Sequence, residues 1–293
     1  MDLEIDYNRA VEIGETVYSS YHSQEGLVGW KGLQGEVLPA GLEKGTDVHL
    51  LFLTMTLLTL DCRRDSWEQW MASKKTFEDP ETNYIFNPRQ LMDKNIKVVS
   101  KHLEKHDFSR RSLRDAKYLK QIAISCHRFF DSCLHSLLDE CDYHGQKILN
   151  LLRSNRYRRG FPSLKSRKLA PLWLLTLYQQ GGVPIEGLEE FPLGVDINIV
   201  RATLNSGAVS GSFEGKLHEL KELVGELWSN VCNNSDYILL QLNEPLWHLG
   251  RYGCRCRDSN CCTKEEECPL EESCVSQVDI SLNHETEVYI SST

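Results

Sequence analysis

The sequence lacks both features that direct a chain into or across a membrane. Its start, 1–6, has neither the basic flank nor the apolar core of a signal peptide. Its longest apolar run, 50–60, is shorter than the roughly 20 residues that cross a bilayer. We therefore expect a cytoplasmic protein without a membrane partner.

Sustained period-two alternation and internal repeats are also lacking, which disfavours sheet and solenoid folds. Hydrophobic residues make up 41% and charged residues 26%, as in ordinary globular proteins. The sequence predicts an all-α protein, in which Ser112 is the N-cap of the third helix. Apolar residues recur at helical spacing in seven segments: 47–60, 91–103, 116–138, 146–152, 168–177, 197–204 and 213–228.

Clusters of Gly, Pro and Asn separate these segments and suggest the domain organisation. We predict a central helical lobe, a second lobe, a cysteine-rich loop and a polar tail. The N-terminal segment is expected to pack on the second lobe. The predicted bounds are 1–44 for that segment, 45–150 for the central lobe, 151–250 for the second lobe, 251–275 for the loop and 276–293 for the tail.

Positive charge is scarce, and the net charge of −9 argues against a general affinity for nucleic acid. The exception is 153–168, which holds seven basic residues and no acidic one. Because screening limits the field to about 8–10 Å at physiological salt, such a local stripe can still bind phosphates. A solvated helix end is the alternative interpretation.

Cysteines are unevenly distributed: five of the eleven are scattered, and six lie within 254–274. A dense thiol cluster without a secretory signal indicates metal binding before disulfides. Cys254 and Cys261 are separated by six residues, and Cys268 and Cys274 by five. Zinc is the alternative to an iron–sulfur cluster for four such cysteines, and a disulfide knot is a further one.

Three motifs carry a resemblance to a known family. They are RGFPSLKSRKLA over 159–170, GVDINIVRATLNSG over 194–207 and the cysteine loop, which follows GRYG at 250–253 and contains CPL at 268–270. The order is helix, hairpin, helix, then a helix opened by aspartate. This resembles the helix-hairpin-helix DNA glycosylases with an endonuclease III-type cluster loop.

The resemblance implies a two-lobed monomer that binds double-stranded DNA and flips a damaged base into a pocket between the lobes. Asp196 would stabilise positive charge on the sugar, and Lys168 matches the amine nucleophile of members that are also AP lyases. A [4Fe–4S] cluster would be held by Cys254, Cys261, Cys268 and Cys274. The residues expected to contact DNA lie in or beside the hairpin: Arg156, Arg158, Arg159, Ser163, Lys165, Ser166 and Arg167.

The sequence departs from the family pattern at several positions. Ser163 and Lys165 replace two hairpin glycines, and an extra residue after the proline makes Lys165 an alternative nucleophile. Asn198 replaces the histidine that commonly follows the aspartate. Six residues, instead of two, separate Cys261 from Cys268, so Cys256 and Cys262 are candidate substitute ligands.

These departures leave three alternatives open. The chain could be a non-catalytic DNA-binding protein on the same scaffold. It could be a glycosylase acting on modified bases of invading phage DNA. It could also be a redox or zinc protein unrelated to DNA.

Overall fold

The computed structural model of the chain describes residues 2–29, 37–60, 65–157, 159–166, 168–233, 235, 237–258, 261–262, 264–271, 274 and 277–282. The chain divides into two compact units. Unit 1 combines Met1–Leu33 with Phe191–Thr293, and unit 2 is Gln34–Glu190. Within the described ranges, no helix has both the length and the hydrophobicity needed to cross a bilayer.

The protein is mostly helical, with a few short strands. The helices are α1 (Tyr7–His22), α2 (Gly26–Gly29), α3 (Asp47–Leu58), α4 (Ser66–Glu78), α5 (Pro88–Leu91), α6 (Ile96–Lys105), α7 (Ser112–Phe130), α8 (Leu134–Asp139), α9 (Gly145–Arg153), α10 (Leu169–Gln179), α11 (Ile197–Asn205), α12 (Leu217–Cys232) and α13 (Asn243–His248). The strands are β1 (Asp2–Ile5), β2 (Val209–Gly215), β3 (Arg257–Asp258), β4 (Cys261–Cys262) and β5 (Gln277–Leu282).

Unit 2 is built around α3, whose residues from His49 to Leu58 are all buried. The helix is apolar on every face, as a helix surrounded by other elements must be. The buried threonines of α3 form hydrogen bonds inside the core. The indole N–H of Trp173 on α10, for example, donates to Thr54 Oγ1 at 2.9 Å. That bond satisfies a polar group that would otherwise be costly to bury.

The unit boundary differs from the predicted division of the chain. Residues 151–190, predicted to join the lobe that contains Asp196, belong instead to unit 2. The reason is that α10 packs on α3, and that Trp173, Leu174 and neighbouring apolar side chains complete the same core.

Unit 1 has α11 at its centre, packed against α12, α13 and the turn Leu249–Gly253. Trp228 on α12 donates its indole N–H to Thr203 Oγ1 on α11 at 2.9 Å, and both residues are fully buried. The N-terminal helix α1 packs on α12 and brings Ile13 and Val17 into this core.

A small three-stranded sheet accompanies the helices, which the expectation of an all-α fold did not include. Its order is β1-β2-β5: β1 pairs antiparallel with β2, and β5 pairs parallel with β2. The segment predicted to be a polar tail therefore contributes a strand, Gln277–Leu282. A strand this short shows no clear alternating pattern, and its partner lies more than 60 residues away in the sequence. The pairing therefore left no local sign in the sequence.

Two helix ends also differ from expectation. Ser112 is the first residue of α7 and not its N-cap, which is Arg111, because the Ser112 hydroxyl bonds Glu104 instead. The helix ends at Phe130 and does not continue to 138, since Asp131 and Ser132 adopt the left-handed region (φ 49° and 66°). Left-handed residues end a right-handed helix.

Candidate functional site

The basic stripe forms a connection between two helices, α9 and α10, as the sequence predicts. Its turn is anchored by Tyr157, Phe161 and Leu164, which are buried, and Tyr157 and Phe161 pack on the ring of Phe130 in α7. Gly160 fits against the side chain of Ser125, so any larger residue there would collide with α7. These anchors hold the polar residues of the connection at the surface of unit 2.

The predicted DNA-contacting residues are largely solvent-accessible. Arg156, Arg159 and Ser166 are exposed, while Ser163 and Lys165 are half-buried. Arg158 and Arg167 lie outside the described residues. The guanidinium of Arg156 lies over the rings of Phe129 and Tyr157, at 5.4 and 5.1 Å from their centres. Such cation–π contacts orient the side chain while leaving its N–H donors available.

The hairpin backbone departs from helical geometry where the family has a glycine and this chain has serine. Ser163 has φ 68°, in the left-handed region that favours glycine. The guanidinium of Arg153 donates to the Lys165 carbonyl at 3.2 Å, which fastens the far side of the turn to the end of α9. Ser166 Oγ accepts the backbone N–H of Leu169 at 3.0 Å, so its hydroxyl oxygen helps to start α10.

Lys168, the predicted nucleophile, occupies the N-cap position of α10 and is exposed. Its backbone lies in the helical region, and its side chain makes no capping bond. The amine is therefore carried at the surface by the start of a helix whose middle, from Trp173 to Leu177, is buried in the core of unit 2. Lys165 and Lys168 both belong to unit 2 and Asp196 to unit 1.

Asp196 is the N-cap of α11. Its Oδ1 accepts the backbone N–H groups of Asn198 at 2.9 Å and Ile199 at 3.2 Å. Two backbone donors fix the plane of the carboxylate, and its half-buried position keeps it accessible. Asn198, which stands where the family commonly has histidine, is buried and accepts the guanidinium N–H of Arg201 at 3.1 Å.

Arg201 connects the start of α11 electrostatically with the cysteine loop. Its pKa is lowered by burial, while the negative charge of Asp196 opposes that shift and Arg251 reinforces it. A negative charge on Cys254 would, like that on Asp196, raise the pKa of Arg201. The aspartate and the first cysteine of the loop therefore share one partly buried guanidinium as a neighbour.

The cysteine loop brings four thiols to one small pocket of unit 1. Cys254, Cys262, Cys268 and Cys274 line it, together with apolar side chains such as Leu249 and Leu270. Three of the four are predicted ligands, and the fourth, Cys262, stands next to the predicted Cys261. The side chains of Cys256 and Cys261 lie outside the described part of the structure.

Short turns and a two-stranded hairpin bring the four cysteines to the pocket. Cys254 begins a 3-10 turn directly after the turn Leu249–Gly253. Cys262 lies on β4 of a two-stranded hairpin with β3, in which Arg257 is its backbone partner. The Cys274 thiol donates to the carbonyl of Asn205, the last residue of α11, at 3.2 Å. The loop is thus tied to the helix that Asp196 begins.

The donors of this pocket are of the type that holds iron or zinc, although the spacing of the described thiols does not form a metal site. Four cysteines are the usual ligands of iron–sulfur clusters. Burial raises the pKa of the Cys268 thiol to about 11, and the Leu270 backbone N–H, which hydrogen-bonds the sulfur, partly offsets that effect. An amide aimed at a sulfur is the kind of bond that tunes cysteine-ligated iron.

The described residues leave little space between these thiols. The cavity volume is about 10 Å³, and no three His, Cys, Asp or Glu side chains of the described ranges converge on one ion position. Such a volume holds about one water molecule. A cluster would therefore fit between these thiols only if they stood farther apart.

A second, larger cavity lies in unit 2 and was not anticipated. Its volume is about 460 Å³, and its walls include Phe77, Tyr84 and Phe86. The exposed ion pair between Arg89 and Asp131, 2.8 Å apart, lies on its rim. Within the described residues its lining contains none of the predicted site residues.

Comparison of the chain with models of known protein families and with curated protein sequences finds no match.

Proposed function

We propose that the protein is a DNA glycosylase of helix-hairpin-helix type, which flips a damaged or modified base out of double-stranded DNA and cleaves its N-glycosidic bond. The observation that carries this proposal is the setting of Asp196, a half-buried carboxylate held by two backbone amides at a helix start. Its helix is tied to a pocket of four cysteines. The exposed basic connection between α9 and α10 provides a surface for DNA phosphates.

Asp196 supplies negative charge to the sugar. As the bond from C1′ to the base weakens, positive charge develops on C1′ and the ring oxygen, and an oriented carboxylate stabilises it. The two backbone donors fix the carboxylate before the reaction, so little reorganisation is needed during it. In many enzymes such preorganised charge accelerates the reaction more than any other single effect.

Lys168 supplies the nucleophile if the protein is also an AP lyase. Its unprotonated Nζ forms a bond to C1′ while the bond to the base breaks, and the base departs with the electron pair and one proton. Opening of the sugar ring transfers a proton to the ring oxygen and leaves a Schiff base. Loss of a C2′ proton then expels the 3′ phosphate.

A [4Fe–4S] cluster would be held by Cys254, Cys268 and Cys274 together with Cys261 or the pocket-lining Cys262. When bound, such a cluster cross-links the loop that holds it. Because metal binding in a small module is coupled to folding, the bound cluster would also stabilise the folded state. Gly250, in the turn that leads into the loop, contacts the first turn of α11, and Cys274 of the loop bonds its last residue, so this cross-link would steady the helix that Asp196 begins.

Asp196→Asn is the sharpest test of the proposed chemistry. Asparagine is as good an N-cap as aspartate, so α11 should keep its start while the negative charge is lost. We expect base release in single-turnover assays to fall at least about 100-fold, the order of losing one charge-stabilising group. DNA binding and the unfolding midpoint should stay near those of the wild type. An unchanged cleavage rate would remove Asp196 from the reaction.

The substrate is defined by a panel of duplexes, each with one damaged or modified base and tested for abasic-site formation. Wild-type protein should release one class of base and Asp196→Asn none. If the protein binds lesion duplexes tightly and releases no base from any of them, it is a non-catalytic binder. If it has no affinity for DNA, the proposal fails altogether.

Borohydride trapping tests the nucleophile. Reduction of a Schiff base leaves a covalent DNA adduct, which Lys168→Gln should fail to form while Lys165→Gln still forms it. The two variants are matched, because both remove one positive charge from the same connection. An adduct that persists in Lys168→Gln and vanishes in Lys165→Gln would transfer the role to Lys165.

A further inference from the structure

One exposed face of α7 carries positive charge towards the basic connection between α9 and α10. Its side chains, which together we call the α7 ridge, are those of Lys117, Gln121, Ile124 and Arg128. All four are exposed, and their spacings of four, three and four residues place them within about 60° around the helix axis. The opposite face holds buried residues such as Leu119 and Cys126. The ridge is therefore a straight row of side chains that face solvent.

The ridge meets the basic connection at one aromatic ring. The guanidinium groups of Arg128 on α7 and Arg156 on the connection both lie over Phe129, each at 5.4 Å from the centre of the ring. Close by, Gly160 of the connection packs against the side chain of Ser125 on α7. Helix and connection are therefore fixed to each other, and their charges lie on one continuous surface of unit 2.

The positive charges of this surface are available to an anion. Four exposed residues form no ion pair within the described part of the chain: Lys117, Arg128, Arg156 and Arg159. The one acidic residue of α7, Asp115, is buried and pairs with Arg114 at 2.6 Å. Asp131, which follows the helix, pairs with Arg89. An anion on this surface would therefore meet cations without a competing carboxylate of α7.

We propose that the α7 ridge is a second surface for the sugar–phosphate backbone of duplex DNA, continuous with the basic connection. It deepens the proposed function and rests on its DNA-binding part. Lys117 and Arg128 lie about 17 Å apart along the axis at 1.5 Å per residue, which equals the rise of about five base pairs at 3.4 Å each. Lys, Arg and Gln donate to phosphate oxygens without reading sequence, and Ile124 provides an apolar contact for the sugar.

The chemistry of the ridge favours duplex DNA over other acidic partners. The core of a protein interface is rich in aromatic residues and poor in charge, whereas the ridge has charge at both ends and only Ile124 as an apolar residue. Single strands bind through bases that stack on aromatic rings. Phe129, the half-buried ring beside the ridge, is already covered by two guanidinium groups. A rigid row of cations suits a stiff, regular polyanion.

Matched double variants of the full-length protein test the ridge. Lys117→Ala/Arg128→Ala removes its charges, and Lys117→Arg/Arg128→Lys keeps them. The control, Lys75→Ala/Lys97→Ala, removes two exposed charges from α4 and α6. Binding to an undamaged duplex of about 24 base pairs is measured against salt concentration. The slope of log K against log salt should become shallower by about 1.8 in the first variant, at 0.9 for each phosphate contact, and should stay at the wild-type value in the other two.

Hydroxyl-radical footprinting on the same duplex locates the contact. Protection by the wild type should extend about five base pairs further on one side than protection by Lys117→Ala/Arg128→Ala. The charge-keeping variant should give the wild-type footprint. Unfolding midpoints of all four proteins should agree, because every altered side chain is exposed.

The outcomes separate the ridge from the proposed chemistry. An unchanged slope and footprint in Lys117→Ala/Arg128→Ala overturns the inference, and so does an equal change of slope in the control, since net charge would then explain it. Lost binding of polyglutamate or duplex RNA with unchanged binding of DNA also overturns it. If the ridge fails while Arg159→Ala still lowers the slope and Asp196→Asn still abolishes base release, the proposed function stands. If Asp196→Asn cleaves like the wild type while the footprint shortens as expected, the ridge stands without the glycosylase.

Discussion

Gly250 and the carbonyl oxygen of Asn198 are in contact with no room for a side chain between them. A β-carbon on Gly250 would overlap that oxygen and the Asn198 backbone around it. Gly250 lies in the turn that leads into the cysteine loop, and Asn198 lies in the first turn of α11, two residues after Asp196. The closeness of two backbones therefore couples the candidate metal centre to the candidate catalytic carboxylate.

Gly250→Ala should destabilise the protein. Overpacking against a backbone atom costs about 1–3 kcal/mol, since the carbonyl cannot rotate away as a flexible side chain can. Urea unfolding should show a lower midpoint than in the wild type. Gly225→Ala is the control: its β-carbon would make an ordinary contact at 3.7 Å with Val195, and alanine within α12 should be neutral or slightly stabilising. Equal stability of Gly250→Ala and wild type would contradict the close packing.

Ser163→Gly should stabilise unit 2. Serine at φ 68° bears a left-handed conformation that costs an L-residue roughly 1 kcal/mol and costs glycine little. Part of that gain is offset by the greater freedom of glycine in the unfolded chain. Ser166→Gly is the comparison in the same connection, because it removes the hydroxyl that accepts the backbone N–H of Leu169 at the start of α10. Thermal melts should move in opposite directions for the two variants.

His49 should make the protein sensitive to mild acid. It is buried near the start of α3, and its Nδ1 accepts the N–H of Gly45 at 3.0 Å. Burial, and then the charge of Lys44, lowers the pKa of His49 from 6.5 to about 4. Between these values the unfolded chain binds more protons than the folded one, so stability falls as pH falls from about 6.5 to 4, by up to about 3 kcal/mol.

His49→Gln tests this acid dependence. The glutamine side-chain oxygen can accept the same N–H and does not titrate in this range. The free energy of unfolding of the wild type, minus that of the variant, should therefore decrease steadily as pH falls below 6.5. Carboxylates common to both proteins cancel in that difference. Parallel stability curves between pH 7 and pH 4 would show that His49 is not the sensor.

Arg159→Ala should reduce the salt dependence of DNA binding. Arg159 is exposed on the connection between α9 and α10. Losing one phosphate contact should make the slope of log K against log salt shallower by about 0.9 for duplex DNA. Lys97→Ala, which removes an exposed charge from α6, is the control and should leave the slope unchanged. Equal slopes for all three proteins would remove the basic connection from the DNA-binding surface.

Metal removal should loosen α11 selectively. Gly250, in the turn that leads into the loop, contacts the first turn of α11, and the Cys274 thiol of the loop bonds its last residue. Backbone amides of α11 should therefore exchange hydrogen faster after chelation, whereas those of α3 in unit 2 should not change. Hydrogen exchange followed by mass spectrometry measures both helices in one sample. Uniform acceleration in both units would indicate general unfolding instead.

Local periodicity predicted several of the described helices but missed others, among them α1 and α4. The helices α3, α9, α10 and α11 begin and end within two residues of the predicted segments. Apolar residues recur every three to four positions in these helices, so each segment contains enough of the pattern to be recognised on its own. The left-handed backbone of Ser163 was not predicted and is a finding of the structure.

The sequence by itself determined that the chain is mostly helical, that a basic connection joins two helices, and that Asp196 begins a third. Only the tertiary structure decided that residues 151–190 join unit 2, that Gln277–Leu282 pairs with β2, and that Cys262 enters the pocket. The physical reason is the range of the interactions. A helix is specified by neighbours three and four residues away, whereas strand pairing, register and the convergence of thiols depend on contacts between distant segments.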